Sequence, residues 1–142
     1  MIKILPFKAE HVLQIKQQQH DMIELNDFTI EHYRKFEGLK WQWSIEIDGE
    51  IVACCGCVEY WKDRGEVWAM IDRRSGPKFR PMIRAMKDLF GLIDCQRIEV
   101  TVISKFKQAH RLVKLLGFVL EAPLMRKYGI TGWDYSLYAR VK

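Results

Sequence analysis

Four cations crowd one short stretch of this chain: Arg73, Arg74, Lys78 and Arg80 surround a turn that also holds Ser75, Gly76 and Pro77. An alternating run, Glu66 to Asp72, leads into the turn, and a segment with helical spacing leaves it. The start of a helix leaves backbone N–H groups without intrahelical partners, and their dipoles sum to a partial positive charge. A glycine feeding that terminus lets an anion approach the backbone closely. These residue types at this spacing suit a pyrophosphate cradle. A solvated basic loop, with glycine supplying an unusual dihedral, fits the same stretch, and the stretch alone does not separate the two.

The cysteines offer less. Three of the four sit in Ala53-Cys54-Cys55-Gly56-Cys57, and the fourth is Cys95. A structural zinc site wants a second ligand pair beside a Cys-x-x-Cys such as Cys54 to Cys57, and that second pair is missing, so no metal is expected. In a strand Cys55 points opposite to Cys54, and reduced thiols serving as small hydrophobes in a cytoplasmic protein is the expectation.

At 142 residues the chain has the commonest size for one domain, and residues 1–142 are expected to form a single unit. No repeat, low-complexity tract or linker divides it. Its 49% hydrophobic and 29% charged residues exclude a disordered or fibrous chain. The formal charge of +5 with a pI near 9.1 favours anionic partners without choosing among them. The amino terminus lacks the apolar core of a signal peptide, and no run of about 18 apolar residues is available to span a membrane.

The elements that must position the turn can be read from hydrophobic periodicity. Ile2 to Pro6 reads as a strand, Ala9 to Gln18 as a helix with Val12 and Ile15 on one face. A second helix is capped by Thr29 and ended by Gly38. Trp41 to Ile47 alternates, Asp48-Gly49 is a two-residue hairpin signal, and Ile51 to Trp61 returns. Lys62 to Gly65 turns again into Glu66 to Asp72, which completes an antiparallel meander. Pro81 to Ile93 then places Ile83, Met86, Leu89, Phe90 and Ile93 on one helical stripe. Arg97 to Ile103 is a strand, Lys107 to Leu116 an amphipathic helix capped by Gly117, and Phe118 to Met125 and Trp133 to Val141 close the chain as strands. An antiparallel half followed by a βαβ half predicts a mixed α/β sheet. Of the five tryptophans, Trp41, Trp43 and Trp68 read as structural, and Trp61 and Trp133, beside turns, as the exposed pair.

Ala109-His110-Arg111-Leu112-Val113-Lys114-Leu115-Leu116-Gly117-Phe118 resembles the second half of a GNAT N-acetyltransferase domain, where a helix carrying an alanine runs into a Leu-Tyr-Glu-Lys-Leu-Gly-Phe-like ending. Arg73-Arg74-Ser75-Gly76-Pro77-Lys78 is similar to that family's loop, Gln/Arg-x-x-Gly-x-Gly/Ala. The resemblance spans the whole chain as element order and only these two stretches as residues. More narrowly, the chain looks like small phage-encoded members of the fold related to the Gp13-type internal virion protein. The resemblance implies a mostly antiparallel sheet with helices on both faces and a central βαβ unit. It also implies acetyl-coenzyme A as co-substrate and transfer of its acetyl group to a primary amine of a small molecule or protein. The cofactor-binding residues it implies are Met70, Ile71, Asp72, Arg73, Arg74, Ser75, Gly76, Lys78 and Phe79. Strands splaying at Ala69 to Asp72 and Val100 to Ile103 would take pantetheine as a pseudo-strand, paired with backbone groups of Met70 and Asp72. A donor amide near Met70 would then polarise the thioester carbonyl.

The chain departs from the family pattern in three places. Val113 stands where the family often has a tyrosine acid, Phe106 where it often has an asparagine, and Pro77-Lys78 alters the end of the loop. Tyr128 and Tyr138 are the substitute acids, Tyr128 the favoured one, with His110 on the same helix as Val113. Glu99, Glu66 and Glu59 are the candidate bases, Glu99 expected to face solvent. The departures keep a second reading open: a catalytically degenerate GNAT-fold phage or prophage protein that works through a protein partner or in virion assembly. Nucleic-acid binding is not expected, because no aromatic residues interleave with the basic cluster.

Overall fold

The computed structural model describes residues 1–15, 30–130 and 132–142. Strands β1 (Ile2–Pro6), β2 (Gln42–Ile47), β3 (Glu50–Trp61) and β4 (Arg64–Ile71) pair successively and antiparallel. β5 (Arg97–Ile103) lies parallel to β4, β7 (Tyr135–Val141) antiparallel to β5, and β6 (Val119–Met125) antiparallel to β7 at the edge. The result is one seven-stranded sheet in the order β1-β2-β3-β4-β5-β7-β6. Its helices are α1 (Ile30–Arg34), α2 (Phe79–Gly91) and α3 (Lys107–Leu115), with 3-10 helices at Ala9–Gln14 and Gly76–Lys78. The parallel contact is the crossover β4-α2-β5, which a parallel neighbour requires.

Each face of the sheet carries its own core. On one side Met82, Met86 and Phe90 of α2 and Val113 of α3 pack against Cys55, Ile98 and Val102. On the other, Phe7, Val12, Ile15 and Tyr33 cover Cys54 and Met70. That double cover is why residues 51–57 of β3 are all buried, a continuous run where a half-exposed strand would alternate. All four cysteines are free and buried, and burial pushes the Cys54 and Cys57 thiols up to about 12. Among the described residues no helix is long and apolar enough to cross a membrane.

Several boundaries move. The first helix is a short 3-10 segment, with Ile15 already extended at φ −91°, ψ 128°. Its expected remainder and the Thr29 cap lie outside the described residues. The Asp48-Gly49 turn has φ of 53° and 84°, the mirror-image geometry that matches strand twist in a tight hairpin. α2 begins at Phe79, so Pro81 occupies its first turn, where a missing N–H costs nothing. Trp61 is exposed as expected, whereas Trp133 is half-buried against Ile103, Phe106 and Tyr135.

Candidate functional site

β4 and β5 stay paired for only three residues, Arg64↔Arg97, Gly65↔Ile98 and Glu66↔Glu99, and then part. Between them opens a cleft of about 800 Å³, floored by Ile71, Val100 and Val102 and walled by Leu112 and Val113 of α3. Its volume and apolar lining are those of a small-molecule site. The turn Asp72 to Gly76 and Phe79 close one end.

Which backbone groups look into the gap follows from ladder parity. The Asp72 N–H donates to the Val52 oxygen of β3 at 2.9 Å. In an antiparallel ladder bonded pairs alternate, so Met70, opposite Cys54, also bonds toward β3. Ala69 and Ile71 therefore turn their N–H and C=O toward β5. Across the gap Ser104 N–H bonds to Asp134 on the β7 side, which leaves Thr101 and Ile103 facing β4 by the same alternation. This corrects the expectation for Met70 and Asp72: the Met70 backbone and the Asp72 N–H are spent on β3, the Asp72 carbonyl accepts from the Ser75 N–H at 3.1 Å, and the Met70 side chain is buried in the opposite core. The edge offered to a ligand runs through Ala69 and Ile71.

The basic turn is also divided. The Asp72 carboxylate, 4% exposed, accepts from the Arg74 backbone N–H at 2.8 Å and from its guanidinium at 2.8 and 3.0 Å. Lys78 pairs with Glu50 at 3.2 Å. Neither Arg74 nor Lys78 lines the cleft, so two of the cations expected to hold phosphate are committed to carboxylates instead. Arg73, Ser75, Gly76 and Phe79 do line it, and they are joined by Arg111 of α3, which sequence reasoning passed over. Arg111 lies two residues before Val113 on a helix whose position over the cleft is a tertiary fact. Gly76 has φ +44°, a region that glycine enters without strain. Its nearest would-be Cβ contacts lie beyond 4 Å, so room remains on its outer side.

The candidate acids and bases separate sharply. Tyr138 is 1% exposed and lies outside the cleft lining. Its hydroxyl sits 2.7 Å from His110 Nδ1, while His110 Nε2 donates to the Ser104 oxygen at 2.9 Å. A neutral ring donating from Nε2 accepts at Nδ1, so the Tyr138 proton is directed to histidine. Glu99 does not face solvent: it is 7% exposed and accepts from Arg64 at 2.8 and 3.1 Å and from Arg97 at 2.6 Å. Arg64 first, and Arg97 after it, hold its carboxyl below the usual carboxylate range against the opposing cost of burial. Such a group is a poor base. Glu66, the other carboxylate at the last ladder pair, lines the cleft and accepts from the Tyr60 hydroxyl at 2.7 Å. Glu59 is turned to the Asp63 N–H and the Cys95 thiol. Tyr128 is 54% exposed and packs on Tyr135, itself a cleft residue, with ring centres 5.6 Å apart. Partial burial, then the nearby Glu66 and Glu99, raise its pKa. Val113 is buried, and no group of acidic, histidine or cysteine side chains among the described residues could hold a metal ion.

No protein-family model matches the chain, and no curated protein matches it in sequence. Solved structures do match in fold. Ard1 from Thermoplasma volcanium aligns with a TM-score of 0.79 at 16% identity, over 99% of this chain and 97% of that one. A GNAT-family acetyltransferase from Bacillus anthracis aligns at 0.69 with 18% identity, over 99% and 94%. yncA of Salmonella typhimurium, solved with its cofactor acetyl-CoA, aligns at 0.66 with 14% identity, over 99% and 93%. At these identities the likeness shows the fold: a mixed, mostly antiparallel sheet shared with acetyltransferases of the GNAT type.

Proposed function

We propose that this chain transfers an acyl group, acetyl in the simplest case, from coenzyme A to a primary amine. The observation that carries the reading is the parting of β4 and β5 over an apolar cleft lined at one end by a glycine turn, with Arg73 and Arg111 also in its lining. Parted strand edges present amide donors and acceptors in line, and an amide-bearing arm can pair with them as an added strand. The fit is supported by the edge at Ala69 and Ile71, by the apolar floor at Val100 and Val102, and by Arg73 and Arg111, the two arginines that line the cleft.

Bound there, the thioester would supply an activated carbonyl, at which the new C–N bond forms as the C–S bond breaks. The chain's own groups are then assigned as follows. An N–H of the Ala69–Ile71 edge polarises the carbonyl oxygen. Glu66, steadied by Tyr60, takes the proton that the attacking amine gives up. Tyr128, at the rim, returns a proton to the departing thiolate. A thiol with a pKa near 8.5 leaves with little help near neutral pH, so burying Val113 in the tyrosine's usual place does not forbid turnover. Ile71, Asp72, Ser75, Gly76 and Phe79 shape the turn, and Met70, Arg74 and Lys78 support it from behind.

Calorimetric binding of acetyl-coenzyme A tests this directly. At a hundredfold excess over its dissociation constant the ligand should stabilise the fold by about 2.7 kcal/mol. Absence of binding and of any thermal shift at millimolar ligand would refute it.

A second reading is favoured by one observation: Asp72 and Glu50 neutralise Arg74 and Lys78, where a phosphate site would keep its cations available. In that reading the protein, of phage or prophage origin, keeps the fold and acts through a protein partner. Binding of coenzyme A without turnover over a wide amine panel would favour it.

A further inference from the structure

The chain's charge is not spread evenly. α2 carries Arg80, Arg84 and Lys87 against Asp88, and α3 carries Lys107, Arg111 and Lys114 with no acid. Six cations against one carboxylate account for the entire formal excess of +5, since the 23 basic residues less these six and the 18 acidic less this one balance. Both helices bury their other faces in the same core, through Met82 and Met86 of α2 and Val113 of α3. Their outward faces therefore lie on one side of the sheet, and all six cations there are exposed.

On each helix the cations recur at i, i+4 and i+7, which aligns them in one stripe, roughly 6 and then 4.5 Å apart along the axis. Elsewhere Arg34, Arg64, Arg74, Lys78 and Arg97 are all in ion pairs. Among the described residues none of the six helix cations is in one. Only Arg111 lines the cleft, so a ligand there leaves five of the six without a role.

We propose that the outward faces of α2 and α3 form one surface for the phosphate backbone of a double-stranded nucleic acid. Stripes of unpaired cations suit a regular row of phosphates, and such contacts position a duplex without reading its sequence. The other polyanions fit less well. A helix lying on a membrane inserts large apolar side chains, and here Leu115, 55% exposed, is the one exposed aliphatic residue within the two helices. A single strand needs rings to stack on, and Phe79, the exposed ring of α2, lines the cleft. An acidic protein would need an apolar patch to bury at the centre of its interface.

The test is fluorescence anisotropy with a labelled 20-base-pair duplex of arbitrary sequence, titrated at several salt concentrations with and without saturating coenzyme A. Four to six phosphate contacts should weaken wild-type binding by about a hundredfold to a thousandfold between 50 and 200 mM salt. The combined variant Arg84→Glu, Lys87→Glu, Lys107→Glu, Lys114→Glu, which spares Arg111, should abolish binding while its far-UV circular dichroism stays unchanged. Should that variant fail to fold, Lys87→Gln with Lys114→Gln should lower the salt slope by about two. Coenzyme A should leave duplex binding in place. The proposal is overturned if the wild type does not bind the duplex at 50 mM salt, if a folded variant binds unchanged, or if coenzyme A displaces the duplex. It is equally overturned if phosphatidylserine vesicles or polyglutamate bind as tightly as the duplex.

Discussion

Glu99→Gln should destabilise the fold while leaving acyl transfer nearly unchanged. The carboxylate is 7% exposed and accepts three charge-assisted bonds, two from Arg64 and one from Arg97. Glutamine keeps one acceptor oxygen and sets an NH₂ against a guanidinium. Removing one partner of a fully buried pair costs about 3–5 kcal/mol. Two features reduce that here. Arg64 and Arg97 are 28% and 31% exposed, and Arg97 keeps Glu121 as a second partner. A cost of about 1–3 kcal/mol remains, or a fall in melting temperature of about 3–10 °C for a chain of this size. The sign of the pH dependence follows from the lowered pKa. A depressed folded-state carboxyl contributes fully above its unfolded value, near 4.3, and the contribution is lost as pH falls through the folded value. Urea unfolding of both proteins at pH 7 and pH 3.5 reads this out, and the gap between them should narrow at the lower pH. An equal gap at both pH values, or no gap at all, would show that the arginine network does not hold Glu99 as described. A loss of maximal rate without loss of stability would return Glu99 to the list of bases.

Arg73→Ala and Arg111→Ala should each weaken coenzyme A binding, more at low salt than at high, whereas Arg74→Ala should leave affinity unchanged and cost stability through Asp72; equal affinities for all three in both salts would refute the division of the turn. Tyr138→Phe removes the donor to His110 and should cost about 1 kcal/mol with the maximal rate intact, while Tyr128→Phe should lower the rate and keep cofactor affinity. Gly76→Ala places a side chain at φ +44°, for about 1 kcal/mol of strain measurable by thermal unfolding, without closing the cleft.

Much of the fold was legible because it is locally encoded. Arg97 to Ile103 alternates cleanly, and Ala109, Leu112, Val113, Leu115 and Leu116 follow helical spacing, so each element declares its buried side, although Leu115 of that set is 55% exposed. What alternation cannot say is whether the other side is also covered. Ile98 and Val102 mark one face of β5, and alternation alone leaves Glu99 to water. Arg64, 35 residues away, together with Arg97, makes that second face a buried ion network. Arg74 and Lys78 escaped reading for a related reason. A cation in sequence beside a glycine turn shows its charge, whereas the carboxylate that consumes it, Glu50 for Lys78, is set by how β3 lies against the turn.

The edge of the cleft illustrates the same limit at the level of the backbone. From β4 alone, Met70 and Ile71 are equivalent candidates to meet a ligand, because every residue carries one N–H and one C=O. The choice between them is made by β3, through the single bond from Asp72 N–H to Val52. Given that bond, parity assigns Met70 to the sheet and Ala69 and Ile71 to the gap, with no freedom left. A one-residue slip of β3 against β4 would exchange the two sets and also turn the Met70 side chain from its core toward α2. The burial of Met70 beside Cys54 and Tyr33 therefore holds in place the backbone edge on which a pantetheine arm would depend, although Met70 itself never reaches the cleft.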